Sequence, residues 1–124
     1  MKMEHIALLV ESPKLTADWY CEHMGFSVCR TKDDETETHF LEQPGSSVLI
    51  EIYKQAHINL PKYTKMDPAQ LHLAFTVENI EVEIQRLVAT GATIVEEAKS
   101  TPRGDRLAML RDPWGFPIQL CKRP

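Results

Sequence analysis

Two stretches of this chain repeat one another. His5-Ile6-Ala7-Leu8-Leu9-Val10-Glu11 is answered by His72-Leu73-Ala74-Phe75-Thr76-Val77-Glu78, with His, Ala, Val and Glu at matching places. Both are short apolar runs of strand-forming residues. Each leads into a helix-start signal, Ser12-Pro13 after the first and Asn79 after the second. A repeat at this separation is a whole supersecondary unit. The chain is therefore expected to fold as two copies of one module.

The order of elements agrees. After the first strand, Leu15, Trp19 and Met24 give a helix an apolar stripe, and Gly25 ends it. Strands are predicted over 26–32, 38–42 and 48–53, separated by the acidic turn at 33–37 and by Pro44-Gly45-Ser46-Ser47. The first module, 1–54, reads βαβββ. The segment 55–69 holds Pro61 and Pro68 with little periodicity and is read as a connector. The second module, 70–124, repeats the pattern. A strand covers 71–77, and a helix carries Ile80, Ile84, Leu87 and Val88 on one face and stops at Gly91. Strands follow near 93–97, 106–110 and 117–122, with Asp112-Pro113-Trp114-Gly115 as the last turn. The fold class is α+β, a single domain of two tandem βαβββ modules whose mixed sheets curve around a central cleft.

At 124 residues, 43% hydrophobic and 26% charged, the chain has the composition of one soluble domain. Its 14 basic and 18 acidic residues give a net charge of −4, with no basic face to suit nucleic acid. No apolar run approaches a membrane span, and no secretory leader pattern opens the chain. Cys21, Cys29 and Cys121 are odd in number and lack metal-type spacing, as expected of free thiols in a reducing cytoplasm.

Alternation along the strands then selects four polar residues. With Ile6, Leu8 and Val10 turned to the helix, His5 lies on the other face. Val48, Ile50 and Ile52 oppose Glu51; Leu71, Leu73, Phe75 and Val77 oppose His72; Ile118 and Leu120 oppose Gln119. Two imidazoles, a carboxylate and an amide oxygen suit a divalent ion such as Zn, Ni, Mn, Fe or Co, with positions left open for substrate. Taken singly, each of these is more often a hydrogen-bonded or solvated residue. The match of all four across the repeat points to a metal site.

The same segments resemble the vicinal oxygen chelate superfamily, which comprises glyoxalase I, bleomycin- and fosfomycin-resistance proteins, methylmalonyl-CoA epimerase and extradiol dioxygenases. The resemblance covers nearly the whole chain. It rests on His5-Ile6-Ala7-Leu8, Trp19-Tyr20, Met24-Gly25-Phe26, Ile50-Glu51-Ile52, His72-Leu73-Ala74-Phe75 and the run from Asp112 to Leu120. It implies a metal cup with ligands His5, Glu51, His72 and Gln119, and a homodimer or a single chain as the unit that completes it. The departures narrow the activity. Glyoxalase I has a glutamate at the fourth ligand position, which also shuttles the substrate proton, where this chain has Gln119. It has an arginine for glutathione where this chain has Leu9. Extradiol dioxygenases take their carboxylate from the fourth position, not the second, and Trp114 replaces a small or acidic turn residue.

The resulting expectation is a metal-dependent, glyoxalase-like lyase or isomerase acting on a small oxygen-chelating substrate, with Glu51 as both ligand and base. A ring-cleaving dioxygenase is the second choice, and a metal-free drug-binding resistance protein the rival from another class. A homodimer is expected from the apolar area of the uncovered faces. Lesser candidates are His39 as a further cavity residue and Arg103 and Arg106 as anion contacts. Trp19 and Tyr20 read as packing, and His57 has no partner visible in the sequence.

Overall fold

The computed structural model describes residues 1–124, which divide into two compact units, Met1–Pro61 and Lys62–Pro124. The first unit runs β1 (His5–Leu9), α1 (Pro13–His23), β2 (Ser27–Thr31), β3 (His39–Glu42) and β4 (Leu49–Tyr53). Its four strands form one mixed sheet in the order β1-β4-β3-β2, with β1 parallel to β4 and the other pairs antiparallel. The second unit repeats this with β5 (Leu73–Thr76), α2 (Ile80–Val88), β6 (Thr93–Ser100), β7 (Arg106–Arg111) and β8 (Pro117–Lys122). Its sheet order is β5-β8-β7-β6, again with the outer pair β5 and β8 parallel. The fold is α+β, two tandem βαβββ modules.

Each helix covers the apolar face of its own sheet. In α1, Pro13, Thr16, Ala17 and Tyr20 are buried at helical spacing, with Trp19 beside them. Leu15, expected in that stripe, falls on the opposite side and is exposed. Ser12 holds the cap position without a side-chain bond; instead the Thr16 hydroxyl donates to the Ser12 carbonyl at 2.9 Å. The helix ends where Gly25 takes φ +75, a left-handed conformation that costs glycine little. In α2, the Val82 amide donates to the Asn79 side chain at 3.1 Å, as the capping signal predicts. Ile80, Ile84 and Leu87 are buried, whereas Val88, one residue further round, is exposed.

Beneath the helices lie Leu8, Leu41, Ile50 and Ile52 in the first unit and Ala108, Leu110, Ile118 and Leu120 in the second, all buried. Burial of each leucine or isoleucine among them contributes roughly 1.5–3 kcal/mol. The strands depart from expectation mostly at their ends. β6 is longer than predicted and carries two register shifts.

The connector is not uniform. Its second half folds into a short 3₁₀ turn at Tyr63–Lys65, with Tyr63 buried against Phe116 at 5.0 Å between ring centres. The Arg111 guanidinium fixes it, donating to the carbonyls of Tyr63 at 2.7 Å, Met66 at 2.8 Å and Gly115 at 3.1 Å. No helix is long and apolar enough to cross a membrane.

Candidate metal-binding residues and their setting

The open face of the first sheet is built around β1 and β4. Ala7 lies directly across from Glu51 in the parallel ladder, and His5, two residues earlier, shares their face. The His5 Nε2 stands 3.0 Å from Glu51 Oε2. Its Nδ1 meets the Glu4 carboxylate on the other side of the ring. Phe40 is the β3 partner of Glu51, and the His5 ring stands edge-on to it at 5.8 Å. The Arg30 guanidinium lies 4.1 Å over the other part of that aromatic surface and 3.9 Å from Glu4. Glu51, only 15% exposed, is thus held between an imidazole and an aromatic ring.

The second sheet repeats the register. Ala74 lies directly across from Gln119, as Ala7 does from Glu51. His72 takes the place of His5, but it precedes β5, although the sequence predicts a strand from 71. Proline is the reason. In the first unit the Leu49 amide donates to the Glu4 carbonyl at 2.9 Å and extends the ladder past His5. The equivalent position in the second unit is Pro117, which has no amide hydrogen to give. The backbone turns away there, and the His72 Nδ1 pairs with the Pro68 carbonyl at 2.7 Å. Gln119 is half-buried, with its Oε1 accepting from the Cys121 thiol at 3.2 Å.

His5 and Glu51 therefore meet in one unit, while in the other Gln119 holds the equivalent register position and His72 lies just outside the ladder. No group of three His, Cys, Asp or Glu side chains forms a cluster that could hold a metal ion. Within each unit the count explains this. The first offers one imidazole and one carboxylate on this face, since Glu4 approaches the far side of the His5 ring. The second offers one imidazole, with an amide where a carboxylate would stand.

The lesser candidates resolve differently. His39 opposes Ile52, so it lies on the helix-facing side, away from Glu51, with its Nδ1 on the Glu37 carbonyl at 2.7 Å. Arg106 is paired with Glu81, and Arg103 and His57 are exposed. Trp19 and Tyr20 pack together in the helix-to-sheet layer, 5.2 Å between ring centres. Sequence reasoning missed Glu4, Arg30 and Phe40. Alternation across the β3–β4 pair would have found Phe40. It would have misplaced Arg30, because a bulge between Val28 and Arg30 reverses the facing of β2.

A paired βαβββ architecture, with histidine and a carboxylate or amide at matched register positions, defines a class. Residues 2–120 match the Glyoxalase/Bleomycin resistance protein/Dioxygenase superfamily, and the chain belongs to it. Among solved structures it is similar to a glyoxalase family protein from Bacillus cereus, at 21% identity and a TM-score of 0.84, over 98% of this chain and 93% of that one. It is similar to TnmS3, an antibiotic binding protein from Streptomyces sp. CB03234, at 20% identity and a TM-score of 0.76, over 100% and 97%. A glyoxalase-related enzyme from Fulvimarina pelagi matches at 16% identity and a TM-score of 0.75, over 100% and 89%. No curated protein matches.

Proposed function

We propose that the chain is a divalent-metal-dependent enzyme of the glyoxalase type, with His5, Glu51, His72 and Gln119 as ligands, two from each module. The observation that carries this reading is the state of the two imidazoles. Metal-ligating histidines usually give their second ring nitrogen to a carboxylate or a carbonyl, which fixes the tautomer. His5 directs Nδ1 to Glu4 and His72 directs Nδ1 to Pro68 O. A carbonyl only accepts, so His72 carries a proton on Nδ1, and in the neutral ring Nε2 is the nitrogen open to a metal. The donor set, two imidazoles with hard oxygens, fits a first-row divalent ion.

A bound ion would supply a Lewis acid for two adjacent oxygens of a small substrate. The chain's own groups do the rest. Glu51 is the sole carboxylate of the set and takes the proton from substrate at Oε2. His5 stands beside that carboxylate, its Nε2 3.0 Å from Oε2, so that both point to one place on the sheet face. Phe40 is its direct cross-strand partner and is buried at 3% exposure. Gln119 has no useful basicity, so the second module orients substrate rather than moving its proton.

A second reading, a metal-free binding protein of the resistance type, has the likeness to TnmS3 in its favour. At that identity the likeness speaks for the fold. Metal content separates the two. Protein purified without added metal, then titrated calorimetrically with Ni, Zn and Mn, is expected to bind about one ion, and His5→Ala or His72→Ala to lose it with an unchanged circular dichroism spectrum. Absence of binding, or equal binding by both variants, would remove the enzyme reading.

A further inference from the structure

Beyond Glu51 on the first unit, the carboxyl ends of β1 and β4 enclose a hollow of about 410 Å³. Leu9, Val10, Ala56, Ile58 and Leu60 line it together with Gln55, and Glu11, Glu35 and Lys54 are the charged residues of its lining. The volume lies in the ~300–1,000 Å³ range of small-molecule sites. Leu9 shares the face of Ala7 and Glu51 and is two residues further along β1, a step of ~7 Å. Tyr53, the cross-strand partner of Leu9, lies on the same face two residues beyond Glu51.

We infer that this hollow receives an apolar group, neutral or cationic, of the same ligand whose polar end meets His5 and Glu51. For that polar end the inference rests on the reading above; for the apolar group it rests on the hollow alone. Gln55 is the one neutral hydrogen-bonding side chain among the nine that line the hollow and five of the others are apolar, so an extended polar tail would give up more water than it could replace. Charge selects further. Lys54 is already paired with Glu37 at 2.9 Å, which leaves the carboxylates of Glu11 and Glu35 as the unbalanced charge of the lining. A ligand bearing carboxylates at this end would meet repulsion. Ile58 and Leu60 remain exposed, at 55% and 43%, and stand ready to be covered by such a group.

The test uses N-phenyl-1-naphthylamine, a neutral dye that brightens in apolar surroundings, and S-hexylglutathione, which joins an apolar chain to free carboxylates. Wild-type protein should bind the dye saturably and the glutathione thioether at least tenfold more weakly. Ile58→Asp and Leu60→Asp change exposed residues, so the fold is retained, and each should weaken the dye at least tenfold. Glu11→Gln combined with Glu35→Gln should improve binding of the thioether. Metal titration of the same variants should match wild type, since none touches His5 or Glu51. Dye binding that is absent, or indifferent to both aspartates, overturns the inference even where metal binds. Dye binding lost in both variants upholds it even where no metal binds, and then only the metal reading falls.

Discussion

His5 is held from both sides of its ring, with Nε2 at 3.0 Å from Glu51 Oε2 and Nδ1 against Glu4. The two carboxylates differ in setting: Glu51 is shielded and lies on the face that the ladder defines, whereas Glu4 is 59% exposed and meets the ring from its other side, with Arg30 3.9 Å away.

Glu4 is therefore expected to position His5 rather than to ligate. Loss of such an outer partner typically lowers metal affinity by ~10–100-fold. Glu4→Ala should weaken zinc or nickel by that order in competition with a chromophoric chelator, leaving the number of bound ions and the thermal midpoint unchanged. An unaltered affinity would mean that Arg30 and solvent hold the ring equally well.

Much of this was legible in the sequence because the chain states its module twice. The repeat, with alternation along each strand, put His5 and Glu51 on one sheet face and His72 and Gln119 on the matching face of the other; the pairing of Ala7 with Glu51 and of Ala74 with Gln119 is the register that the ladders add. Alternation fails at bulges, which is why Arg30 was hidden. It also fails where a ladder stops, as Pro117 stops β5 short of His72. His39 is half-buried, the commoner state of a histidine in a hairpin strand, and lies off the Glu51 face. A lone histidine in a hairpin strand gives no sign of which face it takes, and the register with Ile52 decides it. The role of Arg111 lay beyond reach, because its three carbonyl partners belong to irregular backbone that has no period.

The turn after β7 should be the most mutation-sensitive part of the second unit. Gly115 has φ +93, and a Cβ there would fall 2.2 Å from Thr64 Cγ2 and 3.1 Å from the Thr64 amide nitrogen. Gly115→Ala combines a disfavoured conformation with overpacking and should cost about 2–4 kcal/mol. Gly45 also has a positive φ, of +80, but nothing lies within 4 Å, so Gly45→Ala should cost only ~1–2 kcal/mol. Arg111→Lys replaces two separate nitrogens, one serving Tyr63 and Gly115 and the other Met66, by a single ammonium that cannot reach both places, and should free the 3₁₀ turn to proteolysis. Urea unfolding of the three variants, with limited trypsin digestion of the last, checks the order.

The thiols should differ in reactivity. Cys29 is exposed, and Cys121 is 2% exposed and shielded from reagent. Burial pushes the Cys21 thiol up from its ordinary value, and the nearby Asp18 carboxylate raises it further. Iodoacetamide followed by mass spectrometry should label Cys29 first, with Cys21 catching up as the medium becomes alkaline. Asp18→Asn should speed Cys21. The sign for stability follows. A thiol whose pKa is higher folded than unfolded contributes fully below the unfolded value, and that contribution is lost as pH rises through the folded one. Cys21→Ser should flatten the alkaline end of the stability profile.

Gln119 carries the sharpest functional consequence. It occupies, across from Ala74, the register position that Glu51 occupies across from Ala7, so at this position the second module has an amide in place of a carboxylate. Gln119→Glu keeps side-chain length, and the Cys121 thiol that donates to Oε1 can donate to a carboxylate as well. The substitution should tighten divalent metal, because a charged oxygen replaces a neutral one. It should also add a second group able to take a proton. Loss of a positioned base typically costs ~10²–10⁴-fold in rate, so wild type should turn over the hemithioacetal of methylglyoxal and glutathione weakly or not at all. The acidic lining near Leu9 adds to that expectation, since glutathione brings carboxylates. The assay is thioester formation by wild type and Gln119→Glu, each loaded with Ni, Zn or Mn. A gain in rate confined to the variant would show that the missing carboxylate limits proton transfer. Wild-type turnover at ordinary enzyme rates, unimproved by the substitution, would show instead that Glu51 alone suffices as base.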